Sequence, residues 1–108
     1  MIHELRIYHC ISGQMPALLK RFEDITLSLW DKLGIRQVGF WTVEVGSSNH
    51  DLYYILEWEN MGERDLKWTN FISDPEWLEK KAETEKNGAI VASVENAFLR
   101  PTAFSAIK

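Results

Sequence analysis

Four charged residues stand in stretches that have the composition of β-strands, where a charge needs either a partner or water. Glu4 and Arg6 occur in "ELRIY", Glu57 in "YYILEWE" and Glu95 in "AIVASVEN". An arginine beside carboxylates on a sheet can form a partly buried ion pair, or it can anchor a ligand in an otherwise apolar pocket. Both interpretations stay open, although ion pairs are more often structural. With their neighbours on the predicted strands, the candidate pocket or interface residues are Glu4, Arg6, Tyr8, Trp41, Tyr53, Glu57, Glu95 and Asn96.

The two-residue period of a strand predicts which way each side chain of "ELRIY" points. Leu5 and Ile7 share one face, and Arg6 lies on the other. We expect Leu5 and Ile7 to pack beneath helices, because apolar side chains favour the core. Arg6 should then face the opposite side of the sheet and pair with Glu57 or Glu95.

The other reactive residue types indicate no catalytic residue, metal or cofactor. His3 and His9 share a strand face but lie roughly 20 Å apart at the rise of a strand, too far to bind one metal together. Cys10 is the only cysteine, which excludes an intramolecular disulfide and suits a reducing compartment. No catalytic triad pattern or phosphate-binding loop is present in the sequence.

The elements that must position these residues follow from apolar periodicity. The first strand covers about residues 2–10, and a helix with one apolar stripe follows and ends at Gly34. The stripe consists of Met15, Leu18, Leu19, Phe22, Ile25, Leu29 and Leu33. Two strands joined by the turn "GSSNHD" come next, then helices capped by Asn60 and Asp74, and then a last strand.

This order predicts an α+β, ferredoxin-like βαββαβ fold, with a four-stranded antiparallel sheet and helices on one face. The predicted strands are apolar on both sides, so the face without helices needs cover. A second copy of the chain would supply it, and we expect a sheet-to-sheet homodimer. The length suits one domain, residues 1–108.

Charge and hydropathy exclude several classes of partner. The 16 acidic residues outnumber the 12 basic ones and give a formal net charge of −4, which argues against a nucleic-acid or anionic-membrane binder. No apolar run approaches the roughly 20 residues of a membrane span, and no signal-peptide pattern is present. We expect a cytoplasmic protein.

Five short motifs resemble those of the NIPSNAP family. They occur in order across almost the whole chain: "ELRIY", "GFW", "LEWEN", "DPEW" and "ENAFLRPTAFS". The resemblance implies a dimeric α/β-barrel, an architecture shared with antibiotic-biosynthesis monooxygenases. It implies no particular reaction, because the family has no generally accepted catalytic activity.

Two functional hypotheses follow. We favour a homodimeric binding or interaction module that could hold a small apolar or aromatic molecule between sheet and helices. The alternative is a cofactor-independent, monooxygenase-like enzyme acting on an aromatic substrate. That enzyme would need a proton acceptor, which Glu57, Glu95 or a histidine would have to provide.

Overall fold

The computed structural model describes residues 1–108 and has strands and helices in the order predicted from the sequence. The four strands are β1 (Ile2–Cys10), β2 (Arg36–Thr42), β3 (Asp51–Trp58) and β4 (Val91–Leu99). The first helical region consists of α1 (Met15–Arg21), a π-helical segment (Phe22–Thr26) and α2 (Leu27–Leu33). The second consists of α3 (Met61–Ile72) and α4 (Pro75–Thr84).

Three predicted helix boundaries, at Gly34, Asn60 and Asp74, are confirmed by their capping geometry. Gly34 ends α2 in the left-handed region at φ +78°, which a residue with a side chain rarely adopts. The Asn60 side chain accepts a hydrogen bond of 2.9 Å from the backbone N–H of Glu63 at the start of α3. Asp74 accepts one of 3.0 Å from the N–H of Trp77 at the start of α4. These side chains satisfy donors that the helices leave unpaired.

The four strands form one antiparallel sheet in the order β2-β3-β1-β4. The helices cover one face of this sheet, which is the predicted ferredoxin-like α+β arrangement. None of the helices is both long enough and apolar enough to cross a membrane.

The core lies between the sheet and the helices and is rich in aromatic side chains. Phe22 and Trp30 from the first helical region pack against Phe40 of β2 and Tyr54 of β3, with Phe22 and Phe40 ring centroids 5.0 Å apart. The predicted apolar stripe of the first helix is therefore largely correct. Leu19 is the exception, since it is 40% exposed.

The predicted orientation of β1 is wrong. Glu4 and Arg6 face the helices, whereas Leu5 and Ile7 lie on the face that carries none. The prediction assumed that the more apolar side of the strand packs in the core. Here the charged side is buried instead, because its charges are paired and hydrogen-bonded, which offsets their desolvation.

The face without helices, called here the open face, is apolar at its centre. Leu5, Ile7, Tyr53 and Ile55 from the two central strands are partly exposed there. Trp41 extends this patch across β2 and is 49% exposed. The apolar character of both sheet faces thus follows the sequence prediction.

Candidate functional site

Glu4 is the centre of a buried hydrogen-bond network on the helix-facing side of β1. Its carboxylate is 0% exposed and accepts bonds of 3.0–3.2 Å from the side chains of Arg6, Trp58, Arg64 and Asn96. Burial alone raises the pKa of Glu4, but the hydrogen bonds from Arg64, Asn96 and Arg6 outweigh it and the net pKa is lowered. Glu4 is therefore a fixed negative charge that holds two guanidinium groups in place.

Arg6 connects this network to a pair of tyrosines. Its Nε donates to the Tyr54 hydroxyl at 2.7 Å, and the Tyr54 hydroxyl donates to that of Tyr8 at 2.9 Å. Because arginine cannot accept, the Tyr54 oxygen must be the acceptor, and its own proton is directed at Tyr8. The Tyr8 hydroxyl hydrogen then remains free to donate to another group. The Arg6 guanidinium also lies over the Trp68 ring, 4.3 Å from its centroid.

A cavity of about 350 Å³ opens beside Arg6 and Tyr8, between β4 and the two helices α3 and α4. Its apolar walls come from Trp68, Phe71 and Trp77 on the helices, with further apolar side chains from β4. An apolar cavity with a few directed polar groups is the usual form of a small-molecule site.

Arg21 brings a second buried guanidinium to the same cavity. It is 5% exposed, and its Nη1 lies 3.4 Å from Glu85 and 3.5 Å from the Thr84 hydroxyl. It ends α1, immediately before the π-helical segment, where the N–H of Leu27 bonds to the carbonyl of Phe22 five residues back. Such segments occur frequently at functional sites.

Arg21 was not predicted as a site residue, because a charged residue of an amphipathic helix is typical of its solvated side. Its position three residues after the buried Leu18 is the signal that could have placed it correctly, since residues three apart share a helix face.

The structure divides the eight predicted site residues between the two faces of the sheet. Those brought together beneath the helices are Glu4, Arg6, Tyr8 and Asn96. Those on the open face are Trp41, Tyr53, Glu57 and Glu95.

The predicted pairing of Arg6 with Glu57 or Glu95 is wrong. Arg6 pairs with Glu4, two residues away on its own strand, with 3.0 Å between Nη1 and Oε2. Glu95 binds His9 on the open face instead. The error follows from the reversed orientation of β1, because Arg6 and these two carboxylates lie on opposite sides of the sheet.

Three further residues of the network, Trp58, Arg64 and Trp68, were not predicted as site residues. Trp58 directly follows Glu57 in the motif "LEWEN". Its indole N–H donates to Glu4 at 3.1 Å, a contact between two strands that the motif does not reveal. Arg64 and Trp68 lie one turn apart on α3, a spacing that puts both on one face of the helix. Nothing in their spacing shows that this face meets Glu4 and Arg6.

His9 lies between two carboxylates on the open face. Its Nδ1 is 2.6 Å from Asp51 and its Nε2 is 2.6 Å from Glu95. The hydrogen bonds to Asp51 and Glu95 raise the pKa of His9, since both carboxylates favour the charged ring. Both ring nitrogens are engaged, and no group of three or more His, Cys, Asp or Glu side chains is arranged to hold a metal.

Comparison with known proteins places this arrangement in a family. The NIPSNAP family model matches residues 3–106. The chain belongs to the NIPSNAP family. No curated protein matches it.

Solved structures of NIPSNAP proteins are similar to this chain over its whole length. Protein Atu4242 from Agrobacterium tumefaciens is 27% identical, with a TM-score of 0.86 and 100% of both chains covered. An uncharacterized NIPSNAP domain protein from Burkholderia xenovorans is 25% identical, with a TM-score of 0.82 and 97% of this chain and 98% of that one covered.

A more distant structure extends the fold beyond the NIPSNAP family. A putative antibiotic biosynthesis monooxygenase from Chloroflexus aurantiacus is 13% identical, with a TM-score of 0.58 and 100% of both chains covered. At this identity the likeness concerns the fold alone. The chemistry of the cavity must therefore be argued from its own side chains.

Proposed function

We propose that this NIPSNAP-family protein is a homodimeric binding protein that holds an aromatic or other apolar small molecule in the cavity beside β4. The observation that carries the proposal is the cavity itself, in which the aromatic side chains of Trp68, Phe71 and Trp77 meet the polar groups of Arg6 and Tyr8. The aromatic walls favour a flat apolar ligand. The free hydroxyl hydrogen of Tyr8 supplies a directed donor that would fix its orientation.

The cavity is better suited to binding than to the monooxygenase-like chemistry of the alternative hypothesis. That chemistry needs a proton acceptor beside the substrate. Glu57, Glu95 and His9 lie on the open face, across the sheet from the cavity. The only carboxylate lining the cavity is Glu85, which is engaged by Arg21.

The homodimer part of the proposal rests on the open face. A contiguous patch of partly exposed Leu5, Ile7, Trp41, Tyr53 and Ile55 crosses three neighbouring strands without cover from the chain itself. Patches of this kind on soluble proteins usually belong to interfaces. A second copy placed sheet to sheet would bury both patches and leave the cavity of each chain accessible on the outside.

The ligand site can be tested with N-phenyl-1-naphthylamine, a neutral aromatic probe that fluoresces in apolar surroundings. Val94 lines the cavity from β4 and is 46% exposed, so Val94→Trp should fill the site without disturbing the core. Val45→Trp makes the same change in the β2–β3 loop, where Val45 is 94% exposed. We expect saturable probe binding by the wild type, with Kd raised about tenfold or more by Val94→Trp, since most of the apolar contact is lost.

The loop variant should bind the probe as the wild type does. No saturable binding, or equal effects of Val94→Trp and Val45→Trp, would reject the cavity as the site.

A further inference from the structure

The charges around the cavity do not cancel. Arg6, Arg21 and Lys81 line it, and Glu85 is the only acidic residue that does so. Glu4 pairs with Arg6 at 3.0 Å but is shared with Arg64, so it leaves no negative charge for the rest of the cavity. At the other end of the cavity, Arg21 and Lys81 share the single carboxylate of Glu85, and positive charge is therefore in excess there.

Arg21 and Lys81, the two cations at this end of the cavity, are only partly neutralised by other groups of the chain. The Arg21 hydrogen bonds are long, 3.4 Å to Glu85 and 3.5 Å to Thr84, and its other guanidinium nitrogens bond to no group of the chain. The Lys81 ammonium lies 3.9 Å from the same Glu85 carboxylate. A buried guanidinium that shares one distant carboxylate with a second cation is poorly compensated, and an additional anion would improve its environment.

We propose that the ligand of this cavity is an aromatic monoanion whose negative group lies against Arg21 and Lys81, while its ring system packs on Trp77, Phe71 and Trp68. This inference rests on the proposed binding function and specifies its ligand class. A carboxylate or a sulfonate fits the site, because a guanidinium and an ammonium can both donate to its oxygens. Trp77 links the cationic end of the cavity to its aromatic wall. The centroid of its ring lies 5.5 Å from the Arg21 guanidinium carbon, and the same ring lines the cavity.

The whole chain would not attract such a ligand by its overall charge. Its formal net charge is −4, so an anion is repelled at long range. A preference for an anionic probe over its neutral parent must therefore come from local groups.

The test compares 1-anilinonaphthalene-8-sulfonate with N-phenyl-1-naphthylamine, which differ only by the sulfonate. Lys81→Gln removes a cation from the cavity, and Lys80→Gln removes an adjacent exposed cation of α4 that does not line it. We expect the wild type to bind the sulfonate more tightly than the neutral probe. Lys81→Gln should raise the Kd of the sulfonate about fivefold, as for a partly exposed ion pair, and leave that of the neutral probe unchanged.

A second variant should act in the opposite direction. Glu85→Gln removes the only carboxylate of the cavity and frees Arg21, so it should tighten binding of the sulfonate and leave the neutral probe unaffected. Circular dichroism of each variant checks that the fold is retained.

The outcomes separate the two proposals. If both probes bind equally, if Lys80→Gln weakens sulfonate binding as much as Lys81→Gln, or if Glu85→Gln weakens it, the anionic ligand class is overturned while the binding function stands. If neither probe binds, the proposed function is overturned together with this inference.

Discussion

Glu4 is a carboxylate with no exposed surface, and the side chains of Arg6, Trp58, Arg64 and Asn96 all donate to it. Its removal would leave two guanidinium groups without their shared counter-charge. We expect Glu4→Gln to lower the free energy of unfolding by about 3 kcal/mol or more, the usual cost of breaking a buried ion pair on one side. Chemical denaturation at neutral pH measures the change.

A matched control for this substitution is Glu79→Gln on α4. Glu79 is exposed and forms no ion pair, so its change should fall within about 0.5 kcal/mol of the wild type. Similar effects of the two substitutions would contradict the central role assigned to Glu4.

The two carboxylates around His9 lead us to expect that the free energy of unfolding depends on pH. The bonds of His9 to Asp51 and Glu95 raise its pKa in the folded protein above the value near 6.5 of an unfolded histidine. The stabilisation from His9 is therefore fully present below about pH 6.5 and is lost as the pH rises through the folded pKa. The stability advantage of the wild type over His9→Gln should shrink between pH 6 and pH 9 in denaturation experiments, and a constant difference across this range would contradict it.

At the scale of elements, the orientation of the first helical region can be tested at Phe22 and Lys20. Phe22 is buried against Trp30, Phe40 and Tyr54, so Phe22→Ala should cost about 3–5 kcal/mol through lost burial and the cavity left behind. Lys20→Ala removes only an exposed ion pair with Asp24 and should leave stability close to that of the wild type. Equal losses in chemical denaturation would show that the buried side of the helix is misassigned.

The elements and their order could be predicted from the sequence, because periodicity and capping are local properties. The helix termini marked by Gly34, Asn60 and Asp74 could be predicted from a cap residue and a change in hydropathy alone. The faces of β1 could not be assigned in the same way. Both sides of that strand carry groups that can be buried, and the choice depends on Arg64 and Asn96, which lie 60 and 92 residues away from Glu4.

A small-molecule cavity between sheet and helices was expected, but most of the residues that line it could not be predicted, for a related reason. Its two cations beyond Arg6, namely Arg21 and Lys81, come from helices far apart in the sequence. Each resembles an ordinary solvated residue of an amphipathic helix. Only the packing of α4 beside the π-helical segment shows that they share one space.

At the scale of the whole molecule, β1 serves both sides of the sheet. Glu4, Arg6 and Tyr8 point to the network and the cavity, while Leu5 and Ile7 point to the open face. Neighbouring residues of one strand therefore contribute to the proposed ligand site and to the proposed dimer interface.

The proposed homodimer can be tested by its mass in solution. Size-exclusion chromatography with light scattering should report about twice the 12.6 kDa mass of the chain, because the open face would otherwise expose its apolar centre to water. Ile55→Asp places a charge in that centre and should yield a monomer, since burial of an unpaired carboxylate opposes association. Leu66→Asp makes a similar change on α3, where Leu66 is 64% exposed, and should leave the dimer intact. A wild-type monomer at micromolar concentration, or a dimer that Ile55→Asp does not weaken, would show that the open face is not the interface.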